Sequence, residues 1–247
     1  VLDKGKFIGM TYRREENVIA WHDHRIGGSF GSDAFGHVES VATVPGDLNE
    51  DDTYIIVKRT INGSTKRYIE YFSTFDFGND AEDAFFLDSG LTYNGVTTTL
   101  NGDITNSATT ITLTDASSFT SSGAIKIGTE IITYTGVSTN NLTGCVRGVS
   151  SAAAAHTSGA TVTQVVKAVS GLSHLEAETV SVLTNGAVHP GKTVSSGSIT
   201  LDYYASKIHV GLSYSSTLQT MRIDAGGTEG TAQGKTKRIH EAVLRLF

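Results

Sequence analysis

The sequence predicts an all-β protein, and three observations lead to that prediction. Thr, Val, Ile and Tyr dominate the stretches between turns, and these residues favour strands over helices. The chain contains 27 Gly but only 2 Pro, so its tight turns are expected to be made by Gly and Asn. A Thr/Ser/Gly-rich stretch over 97–164 interrupts a chain of different composition, which indicates a small module inserted into a loop of a host domain.

The first part, residues 1–75, is predicted to be an antiparallel meander that resembles one propeller blade. Two alternating apolar runs within 5–25 flank a turn at 14–17, which predicts a hairpin. Asn62-Gly63 is the strongest short-range hairpin signal in the chain. The remaining strands of this part are expected over 38–44, 53–60 and 65–72.

Residues 76–96 and 165–247 are predicted to form the host domain, a small β-barrel or sandwich. An acidic connector over 76–95 carries a pair of Phe residues that we expect to dock on the neighbouring sheet, with a helical turn within 81–86. Asn185-Gly186 is expected to be a turn. Strands are expected near 178–184, 187–189, 198–201, 206–212 and 218–224, and over 235–247, where a helix is the alternative.

The inserted module, residues 97–164, is predicted to be a compact β-barrel or sandwich of its own. A unit of this size is small enough to depend on docking to its host. Its strands are expected over 109–114, 124–127, 130–135 and 142–146.

Composition excludes several classes of function. The net charge of −6 gives no electrostatic support for stable nucleic-acid binding. The single cysteine, Cys145, excludes an intramolecular disulfide and is expected to be a buried small hydrophobe. No apolar run is long enough to span a bilayer. Both ends are expected to be cuts in a longer protein, because the chain starts without Met and stops within an apolar run.

The most enzyme-like cluster is His22 and His24, with His37 nearby. Two His at i and i+2 on a strand point to the same face and could share a metal ion. A metal site would need a third ligand, which no recognised spacing supplies, so hydrogen-bonded surface histidines are the favoured interpretation. The acidic loop 47–52 lacks the Gly and the Glu that a calcium loop requires, and we expect it to be a solvated turn.

No other motif supports catalysis. Asp76-Phe77-Gly78 matches a kinase triplet without the kinase loops that accompany it. Glu176 and Glu178 imitate a glycosidase pair, but paired carboxylates are common. The sequence therefore predicts a protein that is not an enzyme and needs no cofactor.

A series of short strings outside the module, kept in one order along the chain, resembles a known family. The series is similar to the tail-tube terminal, or nozzle, proteins of short-tailed bacteriophages, called tail tubular protein B. The strings are Trp21-His22, Val38–Ala42, Val57–Gly63, Arg67–Glu70, Asp88–Tyr93, His174–Glu176, Thr179–Gly186, Lys207–Leu212 and Thr231–Lys235. The chain departs from the family pattern at Ala177, where Gly is expected and would permit a positive φ.

The module also resembles a recurring element of phage tail proteins, on the strings DASSF, EIITYTG and LTGC. That element is often likened to a small β-domain of ubiquitin-activating enzymes, but no ubiquitin chemistry is expected here because no adenylation motif is present.

The resemblance implies a ring of identical subunits that extends the phage tail below the portal and adaptor, and thus a location in the virion. Such a ring would guide DNA out and attach fibres or spikes, with no membrane contact, and its subunits would meet through heterologous contacts. We expect the acidic stretch Asp76–Asp88 to face either the lumen or the next subunit, with Asp80, Glu82 and Asp83 as the contact residues.

Two other functions stay open at this point. The module could instead recognise a host receptor or glycan, although Phe119 and Tyr134 are its only aromatic residues for sugar stacking. A cell-wall hydrolase ranks last, because the sequence offers no catalytic set.

Overall fold

A computed structural model describes residues 5–46, 51–74, 76–219, 241 and 243, and it confirms the all-β class. Every pairing between its strands is antiparallel. No helix in this described part is long and apolar enough to cross a membrane.

The strands are joined by hairpin turns and by longer loops, and single 3-10 turns lie at Ala81–Asp83 and Ser173–Leu175. In chain order the strands are β1 Phe7–Arg13, β2 Val18–His24, β3 His37–Pro45, β4 Asp51–Ile61, β5 Ser64–Tyr71, β6 Asp88–Asn94, β7 Thr97–Thr99, β8 Thr110–Thr112, β9 Gly123–Ile127, β10 Glu130–Tyr134, β11 Gly136–Ser138, β12 Asn141–Thr143, β13 Thr161–Ser170, β14 Thr179–Thr184, β15 Ala187–Thr193, β16 Ser198–Ala205 and β17 Lys207–Leu212.

The five strands of the N-terminal part lie where the sequence predicts them, but they divide into two sheets. β1 and β2 form a separate hairpin, while β3, β4 and β5 form a three-stranded meander. Between the two sheets lies the Gly-rich connection 25–36, which folds back on itself through bridges Ile26 to Gly36 and Phe30 to Asp33 and does not join β2 to β3 as a hairpin. Asn62 and Gly63 join β4 to β5 with φ of 46° and 70°, as a hairpin turn with two positive φ angles requires.

The module is a two-layer sandwich. One layer is the sheet β10-β9-β13-β16, with β7 paired to β13, and the other is the small sheet β11-β12-β8. Ile111 and Leu142 from the small sheet pack against Ile125, Ile127 and Ile132 from the large one in a single core cluster. In the described part of the chain none of the sheets closes into a barrel, so of the two predicted forms the module has the sandwich and not the barrel.

Strand β13 runs continuously from the module into the host. Its first residues pair with β7 and β9, and its last residues pair with β16. Val162 lies in the core of the module and Val169 in the core of the host. The predicted boundary at 164/165 therefore falls inside one strand. Since the chain through Ser215 forms one compact unit, the division into three domains stays a prediction.

The host is a second sandwich. The sheet β15-β14-β17-β6 packs its buried side chains against β16 and the end of β13. The predicted helical turn within 81–86 is confirmed as a 3-10 turn, and the predicted turn at Asn185-Gly186 is confirmed, with φ of 48° and 78°. The strands expected over 218–224 and 235–247 fall largely outside the described residues.

Candidate functional site

The hairpin of β1 and β2 carries a wholly apolar patch that nothing in the described chain covers. In an antiparallel pair, directly opposed residues share a face, and the register sets Met10 opposite Trp21 and Tyr12 opposite Ile19. All four side chains are exposed, by 48%, 70%, 59% and 64% in that order. A contiguous patch of this kind marks an interaction site.

The same hairpin projects from the body of the protein. Every residue from Met10 to Asp23 is exposed on both faces of the hairpin, and we call this segment the arm. Its base is fixed on the face opposite the apolar patch, where Phe7 stacks on Phe72 with ring centroids 5.6 Å apart. The apolar patch therefore faces away from Phe72, and β1 and β2 have no further strand beside them among the described residues.

The predicted cluster of His22, His24 and His37 does not form, because only His22 and His24 contact each other. The His22 Nδ1 and His24 Nε2 atoms are 3.0 Å apart, within hydrogen-bond distance, and burial followed by the charge of His22 lowers the pKa of His24. His37 instead pairs with the Asp33 carboxylate at 2.9 Å. Within the described residues, no three His, Cys, Asp or Glu side chains are grouped closely enough to hold a metal ion.

An open cleft of about 590 Å³ lies between strands β5 and β6, and we call it the edge-strand cleft. In the described part of the chain, each of these strands is the last of its sheet, so each presents an unpaired edge. Ile69 and Tyr71 on one side, and Leu91 on the other, line the cleft and are largely exposed. The cleft thus combines two free strand edges with apolar side chains.

Polar contacts below the cleft fix the two sheet edges in place. The Tyr68 hydroxyl donates to the His174 carbonyl at 2.9 Å, and the His174 ring contacts the Ser89 carbonyl at the same distance. The buried Arg59 guanidinium pairs with both Glu70 carboxylate oxygens. The contacts of His174 tie β5 to Ser89 of β6, and the pair of Arg59 and Glu70 ties β5 to β4.

Asp88 joins the same support. Its carboxylate accepts a hydrogen bond of 2.5 Å from the Gly27 backbone N–H, while the Gly27 carbonyl accepts one of 2.7 Å from Arg59 Nε. Burial raises the pKa of Asp88, and the Gly27 N–H and the Arg59 charge oppose that rise. The carboxylate is therefore engaged in a structural contact.

The acidic connector forms one wall of the cleft, and its three predicted contact residues play different roles. Asp80 and Glu82 are exposed, whereas the Asp83 carboxylate pairs with the Lys207 ammonium of β17. The Glu82 carbonyl contacts His209 Nε2 at 2.8 Å, and Phe85 packs edge-on against the same ring. The connector is therefore docked on β17, and of its three predicted contact residues only Asp83 is held in an ion pair among the described residues.

The module contains a buried ion cluster that sequence reasoning missed. The Glu130 carboxylate accepts bonds of 2.9 and 2.8 Å from Arg147 and lies 2.7 Å from His156 Nε2. The Gly148 and Ala154 N–H groups donate to the same carboxylate. Burial alone would raise the pKa of Glu130, but the bonds from Arg147 and His156 outweigh it and lower the pKa to about 2.

One signal for that cluster was present in the sequence. Glu130 and Arg147 are two of the few charged residues in the module, and a fully buried charge must be paired. The cluster is saturated with internal partners, so it stabilises the module and leaves no free group for chemistry.

The other candidate residues also serve the structure. The Glu176 carboxylate accepts bonds from the Ser196 and Gly197 N–H groups at 2.9 and 2.7 Å, which clamps a turn. Burial raises the pKa of the Cys145 thiol, which disfavours a reactive thiolate. Phe119 and Tyr134 both lie in the core of the module, so neither presents a face for a sugar. Residues 47–50 of the acidic loop lie outside the described residues, while Asp51 and Asp52 begin β4.

No protein-family model and no curated protein matches the chain. Its family therefore stays a prediction from short strings, and its function has to be argued from the arm, the edge-strand cleft and the acidic connector.

Proposed function

We propose that the chain is a non-enzymatic structural component of a bacteriophage tail, at the nozzle or the end of the tail tube. In this role it contributes to a ring of identical subunits through which DNA leaves, and to which fibres or spikes attach. The proposal combines the order of the family-like strings with the surfaces described above.

One observation carries the proposal most directly, and it is the distribution of polar and apolar side chains. Buried charges such as Arg59 and Glu130 are internally paired, whereas the large apolar side chains Trp21 and Ile69 are exposed. An enzyme needs the opposite arrangement, with unsaturated polar groups converging in a cleft. A subunit that is completed by its neighbours needs the arrangement found here.

Labelling of intact particles tests the proposal. Antibodies raised against the purified chain should bind purified phage particles at the tail, which immunogold electron microscopy locates. Label confined to the infected-cell fraction and absent from particles would contradict the proposal.

The acidic connector gives a sharper test of the role in assembly or DNA ejection. Reversing the charges of Asp80 and Glu82 to Lys should impair ring formation or ejection, because an acidic surface repels phosphate and a basic one retains it. Asp83 should be left unchanged, because its loss would break the contact with Lys207. The matched control reverses the exposed pair Asp51 and Asp52. Equal infectivity of both double variants would count against a role for the connector.

Recognition of a host receptor by the module is the second candidate, favoured by the separate core of the module. The fold suggests a clean deletion, since Thr99 of β7 is paired directly with Thr161 of β13. An Asn-Gly turn in place of residues 100–160 would join the two strands as a hairpin. Because the deletion uncovers the apolar side chains of Val162 and Val165, the variant also carries Val162→Thr and Val165→Thr. Intact particles that no longer adsorb would favour recognition, whereas failed particles would favour a structural role.

A further inference from the structure

The chain carries two unsatisfied surfaces of complementary shape. The arm is convex, apolar on one face and open at both strand edges, whereas the edge-strand cleft is concave, apolar at its rims and bordered by two strand edges. Within one copy the arm is anchored at Phe72 with its apolar face turned away. A second copy can therefore supply what each surface lacks.

We propose that the arm of one copy docks in the edge-strand cleft of a second copy. The patch of Met10, Tyr12, Ile19 and Trp21 covers Ile69, Tyr71 and Leu91 of that copy. The inference rests on the proposed function in one respect, namely that copies of this chain associate. It adds which two surfaces meet and makes the contact heterologous, the type that generates a ring when the rotation closes.

The charges at the two surfaces are compensated within each copy, so the contact between them is apolar. Arg13 and His22 lie on the face of the arm opposite the apolar patch. Among the described residues that line the cleft, three are carboxylates and none is Lys or Arg. These three carboxylates, Glu70, Asp83 and Asp88, are engaged within their own copy by Arg59, Lys207 and the Gly27 N–H group in that order. Arg13 likewise pairs with Glu16 at the tip of the arm, so apolar side chains, and not net charge, bring the patch of the arm to Ile69.

The dimensions also favour insertion over contact on a single face. A six-residue strand such as Val18–Asp23 is about 20 Å long, and two strands are about 10 Å wide. One face of such an arm covers far less than the ~800 Å² per partner of a stable interface. Insertion of the apolar patch into the cleft of about 590 Å³, with pairing of free backbone groups along one strand edge, adds to that area, the mode known as β-strand addition.

Two single variants and their mixture test the proposal in the full chain. Ile19→Ser removes an anchor from the arm, and Ile69→Ser removes one from the cleft. Both side chains are exposed, so folding should be unchanged by circular dichroism. Sedimentation velocity should show self-association weakened at least about tenfold for either variant. Val188→Ser is the matched control, because Val188 is an 86%-exposed strand residue outside both surfaces, and it should associate like the original chain.

The mixture gives the decisive result. A copy with Ile19→Ser keeps its cleft and a copy with Ile69→Ser keeps its arm, so the two should form 1:1 dimers when mixed although each alone is monomeric. Failure to complement, or an effect of Val188→Ser equal to that of Ile19→Ser, would overturn the proposal.

The proposal and the proposed function can fail separately. Association that both Ile variants leave intact overturns the arm-and-cleft contact only. A monomer at every concentration also overturns that contact, while particle labelling decides the tail location independently. A photoreactive benzoylphenylalanine at Tyr12 should crosslink to residues 68–72 or 87–92 of another copy, and crosslinks from arm to arm would contradict the heterologous contact.

Discussion

The module and the arm are both made of short antiparallel strands, yet they treat their apolar residues in opposite ways. In the module, Ile125, Ile132 and Leu142 are fully buried between two sheets of the same chain. In the arm, Ile19 and Trp21 lie on a two-stranded sheet with no second layer among the described residues. Both regions carry apolar strand residues, but among the described residues only the module has a second layer that covers them.

This difference indicates which part of the molecule depends on a partner. A two-stranded hairpin is marginally stable by itself, and a second layer is what stabilises a sheet. The module has that layer and an internally paired ion cluster at Glu130. The arm lacks it, so we expect stability to be concentrated in the module and association in the arm.

The largest expected effect on stability comes from breaking the ion cluster of the module. Glu130→Ala leaves the nearly buried Arg147 guanidinium without its carboxylate, and such a loss costs about 3 to 5 kcal/mol. Urea unfolding followed by circular dichroism measures the change. Glu15→Gln, at the exposed turn of the arm, is the control and should change the free energy of unfolding by no more than about 0.5 kcal/mol. Equal stabilities for the two variants would mean that the cluster contributes nothing to the module.

The same substitution at two isoleucines sharpens the comparison. Ile132→Ala should lower the free energy of unfolding by about 2 to 5 kcal/mol, because it opens a cavity in a closed core. Ile19→Ala should lower it by less than about 0.5 kcal/mol, because the side chain is already in water. Thermal or urea unfolding of the two variants gives both values. Similar losses at both sites would show that the arm is packed in the monomer.

Acid should weaken the module through Glu130. Its folded pKa of about 2 lies below the unfolded value of 4.5, so its stabilisation is present above pH 4.5 and is lost as the pH falls towards 2. The difference in unfolding free energy between the original chain and Glu130→Gln should shrink over this window. A difference that stays constant from pH 5 to pH 2 would argue against the paired carboxylate.

The smallest effect is expected at Ala177, and it is a gain. Ala177 has φ of 65°, a left-handed conformation that costs a residue with a side chain about 1 to 2 kcal/mol. Gly removes that cost, but its greater conformational entropy stabilises the unfolded chain by about 0.4 to 1 kcal/mol. Ala177→Gly should therefore raise the free energy of unfolding by roughly 0.5 to 1 kcal/mol. Ala187→Gly, in strand β15, is the control and should destabilise. A loss at both sites would contradict the strain at Ala177.

Local chemistry explains why much of the fold could be predicted. Asn-Gly pairs at 62–63 and 185–186 fix hairpins whatever surrounds them, and alternating runs mark the arm. Strand β13 could not be bounded in this way, because TVTQVVKAVS contains no turn residue where the module meets the host. Composition changes at that point while the backbone continues, so a boundary drawn from composition cuts a strand.

The candidate surfaces were harder to predict from the sequence than the hairpins were. The sequence predicts the acidic connector as a contact region, which stays a prediction, and it could not predict the pairing of Asp83 with Lys207, because these residues are distant in the chain. The apolar patch of the arm depends on register, which sets Met10 opposite Trp21. The edge-strand cleft depends on two sheets meeting, and no local pattern reports that.

Hydrogen exchange measured by mass spectrometry on dilute and concentrated protein tests the central claim most directly. The account predicts that amides of residues 7–24 exchange rapidly in dilute protein and become protected on association, while those of 123–134 are protected in both. Arm amides that are as protected as the module in dilute protein, or that gain no protection when the chain associates, would contradict it.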